Sequence, residues 1–332
     1  METQETNNRY PDYIIPFKLD KEAARAALRN YFRGKVLLPK CFSEKSHIEE
    51  IKGIYVPFLL FSGVSSANIS CHATKSNTNK AGKDKVTAAG HYRLVRSGNI
   101  AFDKVPVDAS SNMPAECMDD IEPFDYTALA PFSAEYLQDY QAGQFDGDFE
   151  ECNKRASDRI RTSTEEYFTG TISGYSDVNI ETSDISISQG EIKYAYFPVW
   201  TLNTEWKGKS FLFAMNGQTG KRTGNLPVDP IKLLLWFACI AVPLMLILWI
   251  ALLTPAAAEL FIGEAGNITR IAVTIIAPLL IAFLVCMLFR RRMKPAKKQR
   301  TAGRYIKEGG VSLTGSNDTL LYNTETRQTG KS

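Results

Sequence analysis

The chain has 332 residues, of which 44% are hydrophobic, and a formal net charge of +3. This composition excludes an intrinsically disordered chain, a collagen-like repeat and a small disulfide-stabilised domain. The charge is uneven, because the segment from Arg290 to Ser332 holds 11 basic and 3 acidic residues. We therefore divide the chain into a domain at 1–230, an apolar region at 231–289 and a basic tail at 290–332.

The first predicted elements are a short strand and a capped helix. Residues 13–17 combine aromatic and apolar residues with a proline, and the pattern over 20–33 predicts a helix that ends before Gly34. Similar aromatic, apolar and proline strings recur at 55–58 and 196–199. Either the three strings build one sheet or their likeness is a coincidence. Proline in a strand suits an edge, a strand start or a bulge.

The middle of the domain alternates between strand and loop patterns. Apolar and polar residues alternate over 67–73, which predicts a half-buried strand. The stretch 74–85 is rich in Lys, Asn and Gly and predicts a mobile hairpin loop. A second strand is predicted over 87–96, with a turn at 97–99. The Pro- and Asp-rich stretch 104–131 is predicted to be irregular.

The second half of the domain begins with helices and ends with strands. Residues 133–140 predict a short helix, and 149–168 predict a longer one. The residues of the longer helix expected to face the core are Phe149, Cys152, Ala156, Ile160 and Tyr167. Strands are predicted near 183–188, 191–206 and 209–215, with a tight turn at Lys207 and Gly208. This order predicts an α+β domain with a mainly antiparallel sheet.

Two long uncharged runs predict membrane-spanning helices at about 233–253 and 271–289. A helix needs roughly 20 apolar residues to cross a hydrocarbon core of ~30 Å. Trp236 and Trp249 lie near the two ends of the first run, as interfacial tryptophans often do. The alternative, two buried helices of a large soluble domain, fits poorly with runs that lack a polar face.

A cluster of basic residues predicts the orientation of these spans. The cluster follows the second run and comprises Arg290, Arg291, Arg292, Lys294, Lys297, Lys298 and Arg300. The connecting loop, 254–270, has only one basic residue, so both ends are expected in the cytoplasm. The polar start of the chain predicts no signal peptide. The cluster is expected either to anchor the topology alone or to bind anionic lipid headgroups as well, rather than nucleic acid, and 301–332 is expected to be a flexible tail.

The sequence shows no recognisable catalytic or metal-binding motif. The six cysteines lack a CxxC spacing, so we expect free thiols, no metal and no cofactor. The segment 216–223 is similar to a phosphate-binding loop, but Met215 and Arg222 stand where that motif requires Gly and Ser or Thr. We therefore interpret it as a hairpin turn and do not expect an enzyme.

Several segments resemble a family of bacterial two-span membrane proteins described as "TFIIB-type zinc ribbon-containing". The resemblance covers about 11–230 and is strongest at 11–35, 51–61, 105–114, 121–126 and 194–229. Typical members carry a CxxC…CxxC zinc ribbon before the first of these segments. This sequence has no such cysteines there, so neither the ribbon nor a zinc role is expected.

The resemblance also implies a function and partners. Such proteins are membrane partners of SPFH-domain proteins and of phage-shock-protein A-like proteins in envelope stress responses. The chain is thus expected to be a bacterial cell-membrane adaptor that recruits cytosolic partners. The alternatives are a membrane-tethered enzyme or ligand-binding domain of unknown chemistry and a small transporter subunit. Spans without an ionisable residue count against the transporter.

Overall fold

The computed structural model describes residues 10–81, 84–251, 272–293 and 301–329, with side chains described outside 77–86 and 327–329. The helices are α1 (Lys21–Phe32), α2 (Lys45–Glu49), α3 (Ala115–Ile121), α4 (Phe149–Gly170), α5 (Pro230–Ala251) and α6 (Ala277–Arg291). The strands are β1 (Tyr13–Ile14), β2 (Lys52–Ala81), β3 (Asp84–Asp108), β4 (Ala130–Pro131), β5 (Gln141–Ala142), β6 (Ser176–Trp206), β7 (Lys209–Asn216), β8 (Arg222–Gly224) and β9 (Ile306–Thr329).

The nine strands of the described residues belong to one sheet, whose main path runs β4-β1-β6-β2-β3-β9. Strand β5 pairs with β2, while β7 pairs with β6 and β8. The pairs β1–β6 and β2–β5 are parallel and the others are antiparallel. The sheet is therefore mixed but mainly antiparallel, and the predicted α+β class is confirmed.

The four long strands β6, β2, β3 and β9 form an extended arm. Helix α4 packs on one face of this arm, where Ile69, Leu94 and Ile160 are buried together. The predicted loop at 74–85 is wrong, because β2 continues to Ala81 and β3 resumes at Asp84. The predicted turn at 97–99 is also wrong, since pairing with β2 runs through these residues. In-register pairing on both sides outweighs the loop-like composition.

The described part of the tail is not a flexible segment as predicted. Residues Ile306–Thr329 form β9, which pairs antiparallel with β3 over most of its length. The pairing is reinforced by an ion pair in which Arg96 Nη1 lies 2.6 Å from Asp318 Oδ1. A segment that follows the second apolar helix is thus a strand in the sheet of the domain that precedes the first.

The three proline-containing strings meet in this sheet. Tyr55 pairs with Pro198, Pro57 pairs with Tyr196, and Ile14 also pairs with Tyr196. Of the two alternatives that the sequence left open, the structure therefore supports one shared sheet. Pro57 and Pro198 lie in inner strands, not at an edge. The residues of β6 that pair with β1 come before Pro198, and those that pair with β7 come after it. Neither strand therefore needs a backbone N–H from Pro198.

The helices follow their local signals closely. Asp20 caps α1 by accepting a hydrogen bond of 2.8 Å from the backbone of Ala23, and Gly34 has a φ of +76°. Helix α4 begins as predicted, but Phe149 and Tyr167 are exposed and not in the core. The short helix expected at 133–140 is only a 3₁₀ turn, Ala134–Leu137.

Two helices are long and apolar enough to cross a membrane, Pro230–Ala251 and Ala272–Arg291. The second combines a π-helical turn at Ala272–Ile276 with α6. The start of the first helix meets the end of the second, since the rings of Trp236 and Phe289 lie 5.4 Å apart. Leu233 and Phe289 also pack against a core cluster of the domain. The predicted connecting loop lies outside the described residues.

Candidate functional site

A buried polar cluster joins the domain to the segment that follows α6. It is built by three regions: the loop after α3, the inner face of α4, and the hairpin between β7 and β8. Helix α4 contributes Arg159, which lies on the same stripe as the buried Cys152 and Ala156. Helix α3 ends at Ile121, so the next residue, Glu122, faces this stripe without exposure to solvent.

Arg159 and Glu122 form a bidentate ion pair. Nη1 of Arg159 donates to Oε1 of Glu122 at 2.9 Å, and Nη2 donates to Oε2 at 2.7 Å. Nη1 also donates to the carbonyl of Pro106 at 2.6 Å. Burial opposes the charge on Arg159, but Glu122, Asp119 and Tyr305 together outweigh that effect and raise the Arg159 pKa, with Glu122 the largest contributor among them. The guanidinium is therefore fixed in place as a buried cation.

The segment after the second apolar helix docks on this ion pair. The hydroxyl of Tyr305 donates to Glu122 Oε2 at 2.8 Å, and the backbone N–H of Ala302 donates to Ser163 Oγ at 2.5 Å. Burial and the Glu122 charge raise the Tyr305 pKa well above its ordinary value, so the phenol stays a donor. The start of β9 is thereby attached to α4 and to the loop after α3.

A second ion cluster lies one turn away on α4. Nη2 of Arg155 donates to Asp108 Oδ1 at 2.8 Å and to Asp119 Oδ1 at 3.0 Å. Burial raises the pKa of both carboxyl groups, although Arg155 opposes the shift. Arg155 thus links the end of β3 to α3, beside the Arg159 pair.

The segment 216–223 holds the loop after α3 in place through hydrogen bonds. Its interpretation as a Gly-containing hairpin turn is confirmed. Strand β7 ends at Asn216, and Gly220 has a φ of +74°. The side-chain amide of Asn216 donates to the carbonyls of Ile121 and Pro123 at 3.1 and 3.2 Å. Gln218 exchanges two hydrogen bonds with the backbone of Asp125. These bonds hold the loop that carries Glu122.

The predicted basic cluster is only partly described. Arg290 and Arg291 end α6 and are exposed, and Arg292 caps it. The carbonyl of Arg292 accepts a hydrogen bond of 3.2 Å from Nζ of Lys35, whose ammonium lies 3.9 Å from the centre of the Tyr31 ring. The remaining members, Lys294, Lys297, Lys298 and Arg300, lie outside the described residues. The structure therefore brings this end of α6 against the domain, at Lys35.

Sequence reasoning missed the polar cluster, although one signal was available. Arg159 falls on the apolar stripe of its own helix, at positions that also hold Cys152, Ala156 and Ser163. A charge at such a position needs a buried partner. The partner of Arg159 could not be read from the sequence, because Glu122 lies 37 residues earlier in the chain.

No protein-family model matches the chain, and no solved structure matches it. The chain is similar to YdjG of Bacillus subtilis strain 168, an uncharacterized protein. The two are 33% identical over 231 residues, which span 70% of this chain and 68% of YdjG. This identity extends over more than two thirds of both proteins. The chain therefore belongs to the same family as YdjG.

Proposed function

We propose that the protein is an adaptor of the bacterial cell membrane that recruits cytosolic proteins to the bilayer. Its two apolar helices span the membrane as a hairpin, and the domain and the chain's C-terminal strand both lie in the cytoplasm. The observation that carries the proposal is that two long strands lie at the edges of the arm. The resemblance to partners of SPFH-domain and phage-shock-protein A-like proteins suggests the class of protein recruited.

The topology is supported by the contacts of the two chain segments. Strand β9 follows the second helix, yet it pairs with β3 of the domain that precedes the first. Residues joined in one sheet lie on one side of a bilayer, so the chain crosses an even number of times. Arg290, Arg291 and Arg292 at the end of α6 favour the cytoplasmic side.

The docking surface is supported by the edges of the arm. Among the described strands, β9 pairs only with β3, and residues 176–192 of β6 pair only with β2. Apolar side chains on these edge strands are exposed, among them Ile180 (46%), Leu313 (50%) and Leu320 (47%). An exposed edge strand with apolar side chains can accept a strand from a partner.

Affinity purification of the tagged full chain from detergent-solubilised membranes tests the proposal. We expect an SPFH-domain or phage-shock-protein A-like protein to copurify. A double variant, Leu313→Lys and Leu320→Lys, should lose most of this partner while remaining folded, because both positions are exposed. Tyr136→Lys, at an exposed residue outside the edge strands, is the matched control. Equal recovery with both variants would contradict edge docking, and recovery of the protein alone would contradict the adaptor function.

A further inference from the structure

A groove lies between the two apolar helices, beside the end at which they meet the domain. It has a volume of about 650 Å³, and residues of both α5 and α6 line it. Helix α5 contributes Leu234 and Phe237, and α6 contributes Phe283 and Met287. The residues of each pair lie three or four positions apart, so each helix directs one apolar face to the groove. The body of the groove is therefore apolar and is shared by both helices.

The domain holds the two walls of the groove in place. Leu233 of α5 and Phe289 of α6 both pack against a core cluster of the domain. The rings of Trp236 and Phe289 lie 5.4 Å apart and join the helices beside the groove. The carbonyl of Arg292 accepts a hydrogen bond of 3.2 Å from Nζ of Lys35. The groove is thus already formed, so an occupant would not have to order its walls.

Two arginines lie at one end of the groove. Arg290 and Arg291 follow Met287 by three and four positions, so they continue its face of α6. Both are exposed, and neither has an ion-pair partner in the described part of the chain. Asp229, the residue before α5, instead caps that helix by accepting a hydrogen bond of 3.0 Å from the backbone of Ile231. The groove therefore joins an apolar body to an end that carries positive charge.

We propose that this groove binds an anionic phospholipid, with an acyl chain between α5 and α6 and its phosphate on Arg290 and Arg291. The inference rests on the proposed crossing of the membrane by these two helices. Guanidinium groups bind phosphate oxygens through paired hydrogen bonds. Basic pockets between membrane helices at the cytoplasmic side are a known form of anionic-headgroup site. Such a lipid matches both the walls and the charged end.

The charged end favours an anionic lipid over other occupants of the groove. A third apolar helix, from a partner or a second copy, would cover the walls but would offer no anion to the two guanidinium groups. Covering these charges without a partner is unfavourable. A zwitterionic lipid has the same acyl chains, but its own cation competes with the arginines for the phosphate. A soluble phosphate ester lacks a chain for the apolar walls.

Native mass spectrometry of the delipidated full chain in a nonionic detergent tests the site, because it counts the lipids that stay bound. Dioleoylphosphatidylglycerol and dioleoylphosphatidylcholine share their acyl chains and differ in net charge. At equal concentrations, we expect one phosphatidylglycerol per chain, retained at least fivefold more than phosphatidylcholine. Equal retention of the two lipids would overturn the proposal.

A charge-removing variant assigns the headgroup to the two arginines. Arg290→Gln combined with Arg291→Gln should lower the retention of phosphatidylglycerol at least fivefold and leave phosphatidylcholine unchanged. Arg161→Gln combined with Arg292→Gln removes the same charge at exposed residues that do not line the groove, and should behave as the wild type. An equal loss in both double variants would show diffuse attraction to basic residues and would overturn the site.

A second variant assigns the acyl chain to the space between the helices. Leu234→Trp places a large ring in the groove and should lower the retention of phosphatidylglycerol at least threefold. Leu246→Trp adds the same ring at an exposed residue of α5 that does not line the groove, so retention should stay at the wild-type level. Unchanged retention in Leu234→Trp would contradict a site between the helices.

Carbonate extraction of membranes separates failure of this inference from failure of the proposed topology. A chain that resists extraction but does not prefer phosphatidylglycerol overturns the lipid site alone. A chain that carbonate extracts contradicts the membrane crossing, and the lipid site with it. Copurification of protein partners measures the adaptor function separately, because the lipid measurement uses the purified chain without partners.

Discussion

The carboxylate of Glu122 and the guanidinium of Arg159 are joined by two hydrogen bonds, 2.9 and 2.7 Å long, inside the protein. Tyr305, from the segment after the second apolar helix, completes this arrangement by donating to Glu122. Arg159 lies 37 positions from Glu122 in the chain and Tyr305 lies 183 positions from it, yet all three side chains meet at one point. This point connects the domain to the strand that follows the membrane helices.

Removing the cation of this pair should be strongly destabilising. Arg159→Met leaves Glu122 buried without its partner, and we expect a loss of about 3–5 kcal/mol in the free energy of unfolding. Urea denaturation of the detergent-solubilised chain measures this loss. Arg161→Met, at an exposed position of the same helix, should change stability by less than about 0.5 kcal/mol. A similar small effect at both positions would contradict a structural role for the pair.

Removing the Tyr305 hydroxyl should loosen the C-terminal strand selectively. Tyr305→Phe keeps the ring but loses one hydrogen bond to a charged acceptor, worth about 1.5–3 kcal/mol. Hydrogen exchange followed by mass spectrometry should show that exchange in the variant, relative to the wild type, is accelerated more over 306–329 than over α1. Uniform acceleration across both regions would show that Tyr305 supports the whole domain instead of the docking of β9.

Lys35 should make the stability depend on pH in the alkaline range. Burial, with a smaller effect from Arg222, lowers its pKa from 10.5 to about 8. Between these two values the unfolded chain binds more protons than the folded one, so the contribution of Lys35 to stability rises with pH from about 8 to 10.5. The Tm of the wild type minus that of Lys35→Met should therefore increase as the pH rises across this range. A constant difference would contradict the lowered pKa.

The proposed topology predicts where reporters are active. A phosphatase that works only outside the cytoplasm should be inactive when fused after Ser332 and active when inserted within 254–270. A fluorescent protein that folds only in the cytoplasm should give the opposite pattern. Phosphatase activity at the C-terminus would exclude the cytoplasmic orientation, and with it the recruitment of cytosolic partners.

Elements with strong local signals could be predicted from the sequence. Asp20 and Gly34 bound α1, and the apolar periodicity of α4 is interrupted only by a few side chains. The two apolar runs are recognisable from composition alone. Each of these signals is contained in a short stretch of chain, so no knowledge of distant partners is needed.

Elements that depend on distant partners could not be predicted. Strand β9 is rich in Gly, Ser, Thr and Asn and lacks a clear apolar alternation, and its partner β3 lies more than 200 residues earlier in the chain. The same applies to the candidate site, because Glu122, Arg159 and Tyr305 come from separate regions. Only the buried position of Arg159 on α4 hinted at a partner.

Photo-crosslinking in living bacteria tests the adaptor function most directly. A photoreactive amino acid placed at Leu320 lies on the exposed edge strand, and one placed at Tyr136 lies outside the edge strands. Mass spectrometry identifies the adducts. The proposal predicts an adduct of an SPFH-domain or phage-shock-protein A-like protein at Leu320 and not at Tyr136. Absence of a protein adduct at Leu320, or the same adducts at both positions, would contradict it.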